Sequence, residues 1–333
     1  MNTMAINKES SVSEPSLELR RHAQEQQEKL LHMSTVAPCE AINSTQEAAD
    51  LYRSSKKLWV GSDLQRIEFE LSHCQSMPSF TIRRIDGSMV PIRNPMFGVT
   101  DPIWKPFVKF QHYWYLVNKG ADNALLRGVL PHSFPYYSYF VEWENQTFLD
   151  FISSEYSNLE VQFEKAIRQW IHSQTFHWLK QSLSKWKGPR KIKKLVCFGL
   201  GNLAPRSRSD CRTLYDPEET LQSQKDYLTQ HAAALTIAEV FRSTTADDVE
   251  VFAQDPSYSQ TSKAFLEDTG VIVVGEHGAG GFNEIDDDSA VFFRYPTAPV
   301  KQIIADIARP AIIIGNADVH ILNENQYALP LNS

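Results

Sequence analysis

Cysteine is scarce in this chain. Four residues of 333 (Cys39, Cys74, Cys197 and Cys211) lie far apart and never as Cys-x-x-Cys. Such spacing offers neither a structural zinc site nor a disulfide scaffold, and it fits a reducing, cytoplasmic setting. Long apolar runs are missing too: none approaches the ~18 residues of a membrane span. The first 28 residues are polar and charged, so no secretory signal is expected. There is no Gly-x-Ser-x-Gly elbow, no Walker loop and no His-x-x-x-His pair, which leaves hydrolase, nucleotide-triphosphatase and zinc readings without support. An excess of basic charge is also lacking. Lys and Arg number 33 against 40 Asp and Glu, a net charge of −7. That argues against a general nucleic-acid coat but leaves room for a local basic patch.

The composition, 42% hydrophobic and 22% charged, is that of a globular protein long enough for two domains. Three parts are expected. Residues 1–44 form a disordered polar tail, with a polar helix around Glu18–Met33. Residues 45–188 form an α+β elaboration, opening with a helix near Thr45–Leu58 capped by Thr45. Within it, Asp86-Gly87 between Phe80–Ile85 and Ser88–Ile92 signals a hairpin. Residues Asn94–Pro135, rich in Pro, Trp, Tyr and Phe, predict irregular connections, and Tyr139–Trp143 with Thr147–Ile152 a second strand pair. Apolar residues from Leu159 to Trp186 recur at helical spacing, with a phase shift near Gln174 and a stop at Gly188-Pro189.

Residues 189–333 read differently. Apolar runs at Leu195–Phe198, Val249–Ala253, Val271–Val274, Ala290–Arg294 and Ala311–Ile314 alternate with helical stretches at Leu221–Arg242, Thr261–Asp268 and Val300–Ala308. Strands separated by helices predict βαβ units: an α/β fold with a Rossmann-like, mainly parallel five-stranded sheet.

The first run ends in Gly199-Leu-Gly201-Asn202-Leu-Ala204. This fits Gly-x-Gly-x-x-Ala, the dinucleotide fingerprint, but Pro205–Glu219 intervenes before the next helix, and the acid after the second strand, Asp255, comes 54 positions beyond Gly201. A nicotinamide oxidoreductase, a ligand turn of another kind and a purely structural turn stay open. Asp255-Pro256, with Tyr258, would face the same crevice, where the carboxylate can hold an amine, a guanidinium or a hydroxyl, or simply start a turn. Gly315-Asn316 would line it after the last strand. The acidic run Glu284–Asp288, with Asp286 and Asp287, suits a cation or a solvated loop. His277, in Gly275–Gly281, is a candidate general base or a solvated loop histidine. Seven Lys and Arg and no acid fall between Lys180 and Lys194. Lys187, Arg190 and Lys191, with Arg206 and Arg208 after the first strand, are candidates for a phosphate-attracting surface, or for a solvated helix end.

The pieces Lys194–Asn202, Gln230–Thr236, Phe252–Tyr258, Gly280–Ser289, Pro299–Asp306 and Arg309–Ala311 together resemble the fungal branch of the family named for the plant "sensitivity to red light reduced" protein, the SRR1-like domain. The resemblance covers about residues 190–317. It implies a Rossmann-like domain. It also implies similarity to the fungal arginine-containing cyclodipeptide synthases, which take aminoacyl-tRNA as substrate, with no further cofactor, and release a diketopiperazine. In that reading the Lys180–Arg212 region meets the tRNA, and Asp255, Asp286 and Asp287 serve the arginyl group and catalysis. The Asp-Asp-x-x-Glu motif associated with those synthases has no match here; Asp247-Asp248-Val249-Glu250 is one residue short. Ser207 and Ser209 are the hydroxyls nearest the first strand. A regulatory or ligand-binding protein of the same family is the alternative.

Overall fold

The computed structural model describes residues 21, 24–28, 44–84, 86–113, 137–146, 159–186, 191–203, 217–245 and 248–315. Residues 24–28 are helical, and Gln26 is buried with its side-chain oxygen accepting the Ile103 amide at 3.1 Å. This part of the expected tail is therefore docked against the fold, because a buried amide acceptor has found a donor.

The N-terminal part begins with α1 (Ser44–Arg53) and α2 (Gly61–Ser72). Helix α1 starts at Ser44, one residue before the expected Thr45. Helix α2 has no counterpart in the sequence reading; it buries Leu64, Ile67 and Leu71 on one stripe while also burying Asp63 and Glu70. Those acids are paired: Asp63 meets Arg66 at 2.8 Å and Arg83 at 3.3 Å, and Glu70 accepts the Thr81 amide at 2.6 Å. The mixed stripe conceals the helical period.

Strands β1 (Ser79–Arg83) and β2 (Met89–Arg93) form the expected antiparallel hairpin. Asp86 accepts the Ser88 amide at 2.7 Å, and Gly87 takes φ 91°. The next region corrects the sequence reading. Trp104–Phe110 is a regular strand, β3, and its antiparallel partner is β4 (Tyr139–Asn145). Strand β4 runs on through Glu144-Asn145, past the expected end at Trp143, because each of its residues has a partner on β3. The expected strand Thr147–Ile152 lies outside the described residues. Pro106 is tolerated inside β3 because this is a two-stranded sheet, made only of edges. The long helical stretch is two helices, α3 (Leu159–Ile171) and α4 (Gln174–Ser184). The break falls at the phase shift, where Ser173 caps α4 by accepting the Phe176 amide.

The remaining elements alternate: β5 (Lys194–Phe198), α5 (Pro217–Thr245), β6 (Glu250–Gln254), α6 (Gln260–Asp268), β7 (Val271–Val273), a 3-10 turn (Gly280–Glu284), β8 (Ser289–Phe293), α7 (Val300–Ile307) and β9 (Ile312–Ile314). All five strands are parallel, in the order β7-β6-β5-β8-β9. Helix α6 is capped by Ser259, which accepts the Ser262 amide, and is followed by Gly270 at φ 82°.

Side chains alternate between the two faces of the sheet. Val196, Phe198, Phe252, Val291 and Phe293 join a core with Trp59, Leu64, Phe80, Tyr139 and α7. Leu195, Cys197, Val251, Ala253, Ala290 and Phe292 join a second core with α3, α5 and Leu266 of α6. The Trp170 indole donates to Thr236 at 2.7 Å and fixes α3 on α5. Both cores run across the expected boundary at residue 188, so the N-terminal elements form two of the layers that cover the sheet.

Candidate functional site

Successive connections go one way from β5 (to β6 and β7) and the other way from β8 (to β9), so the order reverses between β5 and β8. In open parallel sheets ligands bind at the carboxyl ends of the strands beside such a reversal. Four of the sequence candidates, Gly199, Gly201, Asn202 and Asp255, lie there.

The two turns beyond β5 and β6 are tied together. The Gly201 amide donates to Asp255 Oδ2 at 2.8 Å, and Asp255 Oδ1 accepts the Ser257 amide at 3.0 Å and the Ser257 hydroxyl at 2.6 Å. Asn202 is buried and accepts from the Ser259 amide at 3.1 Å and the Ser262 hydroxyl at 2.6 Å, which locks the β5 turn to the start of α6. Gly199 and Gly201 take φ 64° and 81°. Each is also needed for space. A Cβ on Gly199 would lie 2.5 Å from the Pro296 nitrogen, and one on Gly201 would enter the Tyr227 ring. The turn is thus covered by Tyr227, and its Gly201 amide, which a dinucleotide phosphate would use, serves Asp255.

Beneath the turn lies a buried pair. Tyr258 donates its hydroxyl to His231 Nε2 at 2.9 Å, while His231 Nδ1 donates to the Tyr227 carbonyl at 2.7 Å. A carbonyl only accepts, so Nδ1 carries a proton, and burial disfavours a second one on Nε2. Burial lowers the His231 pKa to about 4. Burial, then the Asp255 charge, raises that of Tyr258. Burial likewise raises the Cys197 thiol. Tyr258, a ligand candidate in the sequence, is therefore placed as a buried strut between α5 and the β6 turn.

Asp286 and Asp287 do not share a site with Asp255. They precede β8, so parallel pairing puts them at the amino edge of the sheet, more than a five-residue strand's length from Asp255. Asp286 accepts from Ser289 at 2.7 Å and pairs with Lys194 at 3.0 Å; Asp288 pairs with Lys193 at 2.7 Å. Burial raises the Asp286 carboxyl, but Ser289 and Lys194 outweigh it and hold it below the usual range. Part of the expected basic surface is thereby neutralised in place. Lys191 is exposed at the same edge. Lys187, Arg190, Arg206, Arg208, Ser207, Ser209 and Asn316 lie outside the described residues. Gly315 follows β9, where a Cβ would enter the Phe293 ring.

The Gly275–Gly281 loop that carries His277 is clamped from two sides. Glu68 of α2 accepts three of its amides: His277 at 2.8 Å, and Ala279 and Gly280 at 2.9 Å. Gln254 spans it from the other side, accepting the Gly281 amide at 2.6 Å and donating to the Gly278 carbonyl at 2.7 Å. His277 is buried, bonded through Nδ1 to the Pro106 carbonyl at 2.7 Å, and burial lowers its pKa. Beside it Glu276 lies between Lys263 at 2.7 Å and Lys105 at 3.2 Å. Burial raises its carboxyl, but the two lysines prevail and hold it at about 2. Sequence reasoning missed Glu68, Gln254 and Lys105, since no local pattern announces a contact across 209 positions.

Two comparisons with known proteins find nothing: no curated protein and no solved structure matches the chain. The third gives a family, as residues 179–328 match the SRR1 domain. That span runs from within α4 through every strand of the parallel sheet. The matched span takes in the five-stranded sheet, with its turns and the helices between its strands.

Proposed function

We propose that this SRR1 domain is a tRNA-dependent cyclodipeptide synthase that joins arginine to a second amino acid, with the aminoacyl group seated at the carboxyl ends of β5 and β6. The observation that carries the reading is the Asp255 carboxylate, half-buried beside the glycine turn. It accepts three internal hydrogen bonds. A carboxylate has about four lone-pair sites, so it keeps room for a guanidinium donor. The internal bonds hold its position before any ligand arrives, which is how a binding carboxylate gains specificity.

The chemistry needs no nucleotide triphosphate. The free amine of one aminoacyl ester attacks the ester carbonyl of the other, forming an amide bond, and the tRNA 3′-oxygen leaves and takes up a proton. The same exchange within the resulting dipeptidyl ester closes the six-membered ring and frees the second tRNA. In this reading Asp255 orients the arginyl group. Asp286 and Asp287, at the other edge of the sheet, have no part in it.

The test is to supply the full chain with a charged tRNA pool and to seek an arginine diketopiperazine by mass spectrometry. Product that disappears in Asp255→Asn, with the fold kept, supports the proposal. Folded protein that gives no product overturns it and leaves the regulatory, ligand-binding reading of the family in its place.

A further inference from the structure

The β5–β8 pairing continues past the ends of both strands. The Arg294 amide donates to the Phe198 carbonyl at 3.3 Å, and the Tyr295 amide to the Gly199 carbonyl at 3.2 Å. Residues 294 and 295 are thus held by backbone pairing at the point where the strand order reverses, the place where this class of sheet receives ligands. Tyr295 is 58% exposed. The Arg294 guanidinium stands 4.8 Å from the Tyr295 ring centroid. Among the described residues Arg294 has no hydrogen bond or ion pair through its side chain, and no other ring stacks on Tyr295.

That is unusual for this chain. Acids outnumber bases, 40 to 33, and comparable half-buried cations are matched: Arg66 and Arg83 by Asp63, Lys105 and Lys263 by Glu276, Lys194 by Asp286. A scattered exposed tyrosine needs no explanation. A tyrosine stacked under a guanidinium that meets no carboxylate among the described residues, on backbone fixed at the ligand-receiving edge, combines the two groups that recognise a phosphate attached to a flat ring. Lys301, in the first turn of α7, stands 5.9 Å from the Phe293 ring centroid and meets no carboxylate among the described residues.

We infer that Arg294 and Tyr295 form a nucleotide seat, the base stacking on the Tyr295 ring and the phosphate pairing with the Arg294 guanidinium. Stacking on an aromatic face is tolerant of base identity, whereas a guanidinium fork selects for the phosphate. The seat lies on the β8 side of the reversal, away from the Gly201 amide and the Tyr227 ring that close the conventional dinucleotide position. The inference stands apart from the proposed synthase activity. A free mononucleotide and the 3′ end of an RNA carry the same chemistry, and the measurement separates them.

The full chain is titrated calorimetrically with AMP, with adenosine and with the trinucleotide CCA. AMP or CCA binds, and Tyr295→Ala weakens that binding about tenfold or more, the size expected for one lost base stack. Tyr295→Phe, which keeps the ring, stays close to the wild type. Arg294→Gln weakens AMP and CCA but leaves adenosine unchanged. Saturation by AMP marks a free nucleotide as the ligand, and binding by CCA alone marks an RNA terminus. Melting temperatures confirm that the variants fold. No binding of either phosphate-bearing ligand at millimolar concentration overturns the seat, as does binding that Tyr295→Ala leaves intact. The readout is binding, not turnover, so a missing diketopiperazine bears on the synthase proposal alone.

Discussion

The Gly201 amide donates to Asp255 Oδ2 at 2.8 Å, joining the turns that follow two adjacent parallel strands across 54 positions of sequence. The contact makes one rigid wall out of two loops, and it converts an acid that looks like a free ligand group into part of the wall itself. Asp255 is therefore structural and available for binding at once, and the two roles separate experimentally.

Asp255→Asn keeps the shape and removes one acceptor. Either the Gly201 amide or the Ser257 pair then loses its partner, at a cost of about 1–3 kcal/mol. Thermal unfolding should show a fall of a few degrees. A melting temperature equal to that of the parent chain would mean that the bond between the two turns carries no weight.

Gly199 and Gly201 should respond differently to alanine. At Gly201 the obstacle is the Tyr227 ring, so Gly201→Ala costs about 2–4 kcal/mol through left-handed strain and overpacking. Tyr227→Ala in the same chain should return the overpacking share. At Gly199 the obstacle is the Tyr295–Pro296 backbone, which truncating a side chain does not move. A double-mutant cycle on Gly201 and Tyr227 with no coupling would contradict this packing.

Glu68→Gln places an amide where three backbone N–H groups converge. The loss should be about 2–3 kcal/mol, from weaker bonds to a neutral acceptor and from one donor facing another. Hydrogen exchange should accelerate at His277, Ala279 and Gly280 ahead of the parallel strands. Unchanged protection at those three amides would show that α2 does not hold the loop.

His231 makes stability depend on pH. Its pKa is about 4 in the folded chain against 6.5 in the unfolded one, so below 6.5 the unfolded state takes up the proton first. The contribution is complete above pH 6.5 and is lost as pH falls through 4, by up to about 3 kcal/mol. Burial lowers His112 and His277 in the same sense. Denaturant midpoints between pH 7 and pH 4 should therefore fall less steeply for His231→Gln than for the parent chain. Parallel curves for the two proteins would remove His231 from the account.

The parallel sheet was legible in the sequence because its signal is local. Each of β5, β6 and β8 is a short apolar run buried on both faces, bounded by turn residues such as Gly199 and Asp255-Pro256, and the helices between them carry their own caps, as Ser259 and Gly270 do for α6. The hairpin at Asp86-Gly87 was legible for the same reason. Helix α2 and strand β3 were not, since Asp63 and Glu70 are buried only because Arg66, Arg83 and the Thr81 amide meet them, and Pro106 sits in a strand only because that sheet is all edge.

The candidate site divides in the same way. The sequence by itself determined that Gly199, Gly201, Asn202 and Asp255 belong to one edge of a parallel sheet, because the end of a strand fixes where its next residues go. Only the tertiary structure decided that Asp286 is taken up by Ser289 and Lys194, that Tyr258 is buried against His231, and that Glu68 holds the loop of His277. Those relationships depend on which distant groups meet, and burial obliges each polar group to find a partner that no local pattern specifies.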